Sequence, residues 1–247
     1  MIRKIWTYGC SVSACYRPKC NDKSLVYSKL LADKLGAEDK NFSIGCGSND
    51  RSFRLFTNHI QSNLITPSDI VLFQYTTPER REFWSKLYSK HYLREKYLDG
   101  QTFRYLPNMY GNNKVENEFS KLYENNFINL EYNVEILKAY HTSIQALADI
   151  KNITIIFLEA YTIFFNSYSK EKISKLKYGG YLKKVNNLLN SPNFHSIEIY
   201  DLFQDENNLY DKSETGGILD DGHFSPTGHK VVSQRIYDYI IDNKLYD

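Results

Sequence analysis

The chain has 247 residues, of which 42% are hydrophobic and 24% charged, as in an ordinary globular protein. Its formal net charge is only +2, which argues against bulk electrostatic binding to nucleic acid or to an acidic membrane. The most apolar segment, residues 153–165, carries Glu159 and is too short to span a bilayer. The N-terminus has no apolar region of signal-peptide length, so the sequence predicts a soluble, cytoplasmic protein.

Taken in chain order, the hydrophobic pattern predicts strands alternating with helices. Strands are expected at residues 2–8, 41–44, 70–75, 153–158 and 196–200, and helices at 24–35, 49–65, 116–151 (one or two in series), 173–189 and 226–241. This alternation favours an α/β fold with a parallel sheet and helices on both faces. No repeat or linker divides the chain, so we expect a single domain covering residues 1–247.

The third predicted strand is followed by a polar and aromatic segment at about residues 76–115. A simple connection between two elements of a compact domain rarely needs so many residues. We therefore expect this insert to line or cover a site.

Small and polar residues follow the first three strands, in Gly9-Cys10-Ser11, residues 45–49 and residues 75–81. A fourth cluster, Asp220-Asp221-Gly222-His223, precedes the last helix. In a doubly wound sheet, ligands bind outside the carboxyl ends of the strands. The four clusters are therefore expected to meet at one edge of the sheet.

These residue types suit nucleophilic catalysis. Ser11 follows a strand and a glycine, but a serine hydroxyl is a weak nucleophile until a base removes its proton. Asp220 and His223 can supply an imidazole base and a carboxylate that fixes its tautomer. The glycine-rich loop containing Gly45, Gly47 and Asn49 offers donors for an oxyanion, and Asn49 is also expected to cap the following helix.

Four blocks of the chain resemble the SGNH (GDSL-like) hydrolase family. Gly9-Cys10-Ser11 is similar to its first block, usually G-D-S, and residues 41–49 (NFSIGCGSN) to its second. Residues 220–229 (DDGHFSPTGH) are similar to its last block, D-x-x-H followed by a small-residue turn and the closing helix. The G-C-S and G-x-S-N blocks resemble a subset found in phages or near surface-polysaccharide genes.

The resemblance implies Ser11 as nucleophile, His223 as base and Asp220 as its orienting partner. It also implies a flavodoxin-like three-layer α/β/α sandwich with a five-stranded parallel sheet, and no metal or organic cofactor. The third block departs from the usual G-x-N-D, because residues 75–78 read Tyr-Thr-Thr-Pro. Either the Thr77 hydroxyl or the Asn49 amide would have to replace the missing donor.

For several residues the sequence allows two interpretations. Asp221 is an alternative to Asp220. Arg80 and Arg81 either bind a carboxylate or sulfate on an acidic sugar or form a salt bridge with Glu79 or Glu82. For His229 and Cys10 we favour structural roles, the latter as a buried packing thiol, and reduced thiols are expected for all four cysteines.

The sequence therefore predicts a serine esterase acting on small acyl esters, and the interpretation we favour is O-acetyl groups of a carbohydrate. An O-acyltransferase with the same triad is the close alternative. A binding module that has lost its activity is a second class of function that the sequence allows. A flavodoxin-like phosphate or nucleotide binder using residues 9–13 is a third class. The sequence leaves the oligomeric state open.

Overall fold

The computed structural model describes residues 2–14, 22–45, 47–76, 80–84, 102–105, 114–127, 130–159, 193–199 and 224–245. In chain order the elements are β1 (Lys4–Tyr8), α1 (Ser11–Ala14), a 3-10 helix (Lys23–Leu25), α2 (Tyr27–Leu35), β2 (Glu38–Asn41), α3 (Asn49–Gln61), β3 (Ile70–Gln74), β4 (Arg81–Trp84), β5 (Thr102–Tyr105), α4 (Lys114–Asn126), α5 (Leu130–Lys151), β6 (Thr154–Glu159), β7 (Phe194–Glu198) and α6 (Pro226–Asp242). The helix expected at residues 173–189 lies outside the described residues.

Five strands form one parallel sheet in the order β2-β1-β3-β6-β7. This confirms the expected five-stranded parallel sheet of an α/β fold. The chain moves outward from β1 to β2 and then returns to place β3 on the other side of β1. The carboxyl ends of β1 and β3 therefore flank the switch point where such sheets bind ligands.

Helices cover both faces of the sheet. Both faces carry side chains that need to be buried, because successive strand residues point to opposite sides. On one face, α2 and α6 pack on a core that includes Ile5, Leu72 and Ile236. On the other face, α3 and α5 pack on a core that includes Trp6 and Phe73. The fold is thus the expected three-layer α/β/α sandwich.

The helix termini near the sheet edges are fixed by local chemistry. Gly36 ends α2 in the left-handed conformation, with φ of 64°, and its N–H donates to the carbonyls of Ala32 and Asp33. Ser48 caps α3 by accepting a hydrogen bond from the N–H of Arg51. The expectation that Asn49 caps this helix was wrong, since Asn49 is its first residue and uses its side chain elsewhere.

Other boundaries also differ from the predictions, among them that of β7, which spans Phe194–Glu198 and not residues 196–200. The second strand spans Glu38–Asn41, not residues 41–44. The helix expected at residues 49–65 ends at Gln61. The segment at residues 116–151 forms two helices, α4 and α5, which was one of the two possibilities.

The predicted insert contains secondary structure of its own. β4 pairs with β5 in an antiparallel two-stranded sheet, with Arg81 opposite Tyr105 and Trp84 opposite Thr102. β4 contacts α3, which brings the start of the insert beside the switch point. Among the helices that the structure describes, none combines the length and apolarity needed to cross a membrane.

Candidate active site

Ser11 lies in a tight turn at the carboxyl end of β1. The N–H groups of Ser13 and Ala14 both donate to the carbonyl of Cys10, so the chain enters α1 immediately after the strand. Ser11 is 9% exposed. None of the other described residues makes a hydrogen bond with its hydroxyl.

The second sequence block packs directly against this turn. A Cβ atom on Gly47 would lie 2.7 Å from the carbonyl oxygen of Gly9 and 3.4 Å from the Cα of Cys10. Only glycine allows this approach. The N–H of Gly47 donates to the carbonyl of Ile44 at 3.1 Å, which closes the loop that contains Gly45.

Asn49 joins the second block to the third. Its Nδ2 donates to the carbonyl of Thr76 at 2.9 Å, and its Oδ1 accepts from the N–H of Thr76 at 2.9 Å. The Asn49 side chain is 4% exposed and therefore holds this position away from bulk water. Since an amide nitrogen carries two protons, Asn49 keeps a second proton beyond the one given to Thr76.

Buried hydrogen bonds among polar side chains stabilise the Ser11 turn. Gln74 Oε1 accepts from Ser13 Oγ at 2.8 Å and from the N–H of Cys10 at 3.4 Å, while its Nε2 donates to the carbonyl of Tyr75 at 2.6 Å. Ser13 Oγ also bonds Tyr27 Oη at 2.6 Å. Burial raises the pKa of the Tyr27 phenol, so it stays protonated and donates to Ser13.

The same turn is tied to β2 and to α6. Asn41 Nδ2 donates to the carbonyl of Ser13 at 2.7 Å and to Ser28 Oγ at 3.0 Å. The N–H of Tyr27 donates to His229 Nδ1 at 3.4 Å, and the His229 side chain is buried. These contacts support a structural role for His229.

Cys10 points into the core. Its side chain is fully buried among apolar residues and its thiol contacts Gln74 Oε1 at 3.4 Å. It is a free cysteine, as expected for a packing thiol.

An ion-pair cluster lies beyond Asn49, at the start of the insert. Arg81 Nε donates to Asp50 Oδ2 at 2.9 Å, and Tyr140 Oη donates to Asp50 Oδ1 at 2.8 Å. Glu82 pairs with Arg54 through two bonds of 2.8 and 3.0 Å. Arg81 and Glu82 therefore each have a partner on α3.

The structure thus describes five of the predicted site residues: Ser11, Gly45, Gly47, Asn49 and Arg80. Backbone and side-chain contacts link the Ser11 turn, Gly47, Asn49 and Thr76, and Arg80 lines a pocket with Asn49. The predictions for Thr77, Asp220, Asp221 and His223 lie outside the described residues. Within the described part of the chain, no group of three or more His, Cys, Asp or Glu side chains is arranged to hold a metal ion.

Sequence reasoning missed the residues that hold this site together, chiefly Asn41, Asp50 and Gln74. Asn41 lies at the start of a predicted strand (residues 41–44) and Asp50 within a predicted helix (residues 49–65). Gln74 lies in the predicted apolar strand at residues 70–75, and the pattern does not single it out as a site residue. A buried amide at the carboxyl end of a central strand was the one available signal, because such a group needs polar partners.

No protein-family model matches this sequence, and no curated protein matches it. Solved structures resemble it over almost their whole length. They include the esterase EstA from Pseudoalteromonas sp. (14% identity, TM-score 0.51, 97% of both chains), a G-D-S-L family lipolytic protein from Veillonella parvula (9%, 0.53, 96% of this chain and 97% of that one) and the acetyl xylan esterase AlAXEase (12%, 0.52, 96% and 99%). At these identities the likeness establishes the fold alone, an α/β fold shared with these esterases.

Proposed function

We propose that this chain is a serine esterase that hydrolyses small acyl esters, with O-acetyl groups of a carbohydrate as its substrate class. Ser11 is the nucleophile, His223 the base and Asp220 the residue that orients the base. The observation that carries the proposal is the Ser11 turn at the switch point of the sheet, packed against Gly47 and linked through it to Asn49. The similar solved structures, which include esterases and an acetyl xylan esterase, support the same reaction class.

In the proposed reaction His223 removes the proton of Ser11 as Oγ attacks the ester carbonyl carbon. The resulting tetrahedral intermediate carries a negative oxygen. The backbone N–H of Ser11 and the second Nδ2 proton of Asn49 donate to that oxygen, with Gly45, Gly47 and Thr77 as further candidates. Protonated His223 then gives its proton to the leaving alcohol, and a water molecule, activated in the same way, releases the acyl group from Ser11.

The described residue that follows His223 in sequence is Phe224. Phe224 is 3% exposed and belongs to the same apolar core as Cys10 and Val12, the neighbours of Ser11. Its ring also contacts His229, with the centroids 5.6 Å apart.

The first test is hydrolysis of p-nitrophenyl acetate by the wild type and by Ser11→Ala. We expect kcat/KM to fall by roughly 10³ or more, because the variant retains only binding and oxyanion stabilisation. A fluorophosphonate probe should label the wild type at Ser11 and leave the variant unlabelled. Ser233→Ala is the matched control: Ser233 is also buried, and its hydroxyl has no partner among the described residues.

Labelling of a different serine, or undiminished turnover by Ser11→Ala, would contradict the assignment. A folded wild type that is neither labelled nor active would favour a binding module. Product analysis with methyl glucoside present separates hydrolysis from acyl transfer, since a transferase would yield acetylated glucoside in place of free acetate.

A further inference from the structure

Gln74 is a polar residue at the end of an otherwise apolar central strand. It is the last residue of β3, which lies between β1 and β6, and its side chain is 1% exposed. A buried amide needs hydrogen-bond partners for both its oxygen and its nitrogen. The partners of the Gln74 oxygen are residues on either side of Ser11.

The orientation of the Gln74 amide is fixed by groups that can play only one part in a hydrogen bond. The Tyr75 carbonyl can only accept, so the amide nitrogen faces it, at 2.6 Å. The Cys10 N–H can only donate, so the amide oxygen faces the Ser11 turn, 3.4 Å from that nitrogen. Ser13 Oγ donates to the same oxygen at 2.8 Å. One oxygen therefore binds the residue before Ser11 and the residue two places after it.

The two peptide groups that precede Ser11 are both held in place. In the first, the Cys10 N–H donates to Gln74. The carbonyl of the same group, from Gly9, lies against Gly47, where a Cβ atom would be 2.7 Å from its oxygen. In the second, the Cys10 carbonyl accepts two main-chain N–H groups of α1. Because a peptide group is planar, this carbonyl fixes the direction of the Ser11 N–H, a proposed oxyanion donor.

Gly9 makes room for this arrangement. A Cβ atom there would lie 2.9 Å from Gln74 Oε1 and 2.7 Å from Ser13 Oγ, so a side chain would push these two groups away. Ser13 Oγ in turn accepts from Tyr27 Oη at 2.6 Å, because the buried phenol stays protonated. Donation therefore runs in one direction, from Tyr27 through Ser13 to Gln74.

We propose that Gln74 is a positioning residue for the nucleophile. It acts through Cys10 and Ser13, the two residues that it binds, and so holds the hydroxyl and the N–H of Ser11 in the geometry that attack on an ester requires. A displacement of about 1 Å in such a site can lower the rate by roughly 10²-fold. This inference rests on the proposed function and adds to it the residue that keeps Ser11 in place.

The first test separates kcat from KM with Gln74→Leu, which removes both polar ends of the side chain. For p-nitrophenyl acetate we expect kcat per folded molecule to fall by roughly 10²-fold, with KM unchanged within about twofold, because Gln74 does not bind substrate. Gln145→Leu is the matched control and should keep the kcat of the wild type. Gln145 is also buried, on α5, and in the described part of the chain it is not a partner of Cys10 or Ser13. Circular dichroism gives the folded fraction of each variant.

Gln74→Glu provides the second test, since its contacts depend on pH. A protonated carboxyl donates to the Tyr75 carbonyl and accepts with its other oxygen, as the amide does, whereas a carboxylate has no proton for Tyr75. We expect burial to raise the pKa of this carboxyl above its ordinary value of about 4.3. The ratio of its kcat to that of the wild type should be near one at low pH and fall roughly tenfold or more as the group ionises. The Cys10 thiol, the Tyr27 phenol and His223 are present in both proteins, so the ratio removes their own titration.

A folded Gln74→Leu variant with the kcat of the wild type, or a Gln74→Glu ratio that is constant with pH, overturns the inference. A fall in kcat of the same size in Gln145→Leu overturns it as well. If Gln74→Leu does not fold, the pH dependence of Gln74→Glu decides alone. A wild type that neither turns over nor is labelled refutes the esterase and this role with it, whereas an active wild type that is insensitive to both Gln74 substitutions refutes the positioning role only.

Discussion

Asn49 illustrates how one side chain can organise a site through backbone atoms. Both ends of its amide bond the same residue, Thr76, so the start of α3 is fixed next to the end of β3. The usual third-block Asn of the resembling family is absent from this chain. In our proposal Asn49 takes over its function while it fixes the position of that block.

Replacing Asn49 by Ala should therefore affect activity and stability together. We expect kcat for p-nitrophenyl acetate to fall by roughly 10²–10³, as for the loss of one oxyanion donor. The free energy of unfolding should fall by about 1–3 kcal/mol, because Thr76 is left with buried unpaired groups. Steady-state kinetics and urea denaturation measure the two effects.

Asn126→Ala is the control for this substitution. Asn126 also donates from Nδ2 to a main-chain carbonyl, that of Leu122, but it is exposed on α4. The Asn126→Ala substitution should change neither kcat nor the free energy of unfolding appreciably. An Asn49→Ala variant with the kcat of the wild type would remove Asn49 from the proposed oxyanion site.

Single-residue roles were the hardest to predict from the sequence. Asn49 and Ser48 are both good helix caps, and nothing local decides which of the two takes the cap. The partner of Arg81 is Asp50, 31 positions earlier, whereas Glu82 is the adjacent residue. Such choices depend on the packing of β4 against α3, which no local pattern encodes.

At the scale of elements, prediction succeeded where burial dominates. The apolar runs of β3 and β6 identify strands that are covered on both faces, which is typical of central parallel strands. β2 was misplaced because its sequence, Glu-Asp-Lys-Asn, has neither an apolar run nor alternation. Its pairing with β1 is what makes it a strand.

The close approach of the Gly47 loop to the Ser11 turn gives a prediction about two elements. Gly47→Ala would put a methyl group 2.7 Å from the Gly9 carbonyl, so the two loops must separate. We expect kcat/KM to fall by roughly 10²-fold, the effect of a displacement of about 1 Å in a catalytic site. Kinetics with p-nitrophenyl acetate measures it.

Gly36→Ala provides the comparison. Gly36 has a positive φ and open space around the missing Cβ, so alanine there should cost about 1–2 kcal/mol of stability without a clash. Activity per folded molecule should stay that of the wild type. If Gly47→Ala is as active as Gly36→Ala, the close approach is not needed for catalysis.

At the scale of the whole molecule, one of the two cores is rich in aromatic rings and contains His59. The ring of His59 packs against Phe42 and Trp6, and Tyr8 Oη lies 2.7 Å from its Nδ1. Burial, together with the nearby charge of Arg51, lowers the pKa of His59 to about 4. The folded protein therefore keeps this imidazole neutral at pH values where the unfolded chain protonates it.

Stability should accordingly fall as the pH falls from about 6.5 to about 4. In this window the unfolded state binds the proton and the folded state does not, so the contribution of His59 is complete above 6.5 and declines below it. The slope from this group is at most about 1.4 kcal/mol per pH unit. Urea denaturation at several pH values should give a smaller slope for His59→Gln than for the wild type, and identical slopes would exclude His59 as the cause.

The convergence of the site could also be predicted at this scale, although its internal contacts could not. Parallel strands bring their carboxyl ends to one edge, so residues after β1 and β3 were expected to meet. The supporting contacts of Asn41 and Gln74 depend on the strand order β2-β1-β3 and on the register of these strands. Neither the strand order nor the register follows from local sequence patterns, because several strand orders are compatible with the same alternation of strands and helices.

The polar sequence of β2 has a consequence for the behaviour of the protein in concentrated solution. β2 is an outer strand of the five-stranded sheet, and only β1 pairs with it in the described part of the chain. Outer strands tend to recruit strands of other molecules, and short length and charged side chains suppress this. With four residues that include Glu38, Asp39 and Lys40, β2 has both features, and an apolar replacement of these residues would turn the edge into a nucleus for aggregation.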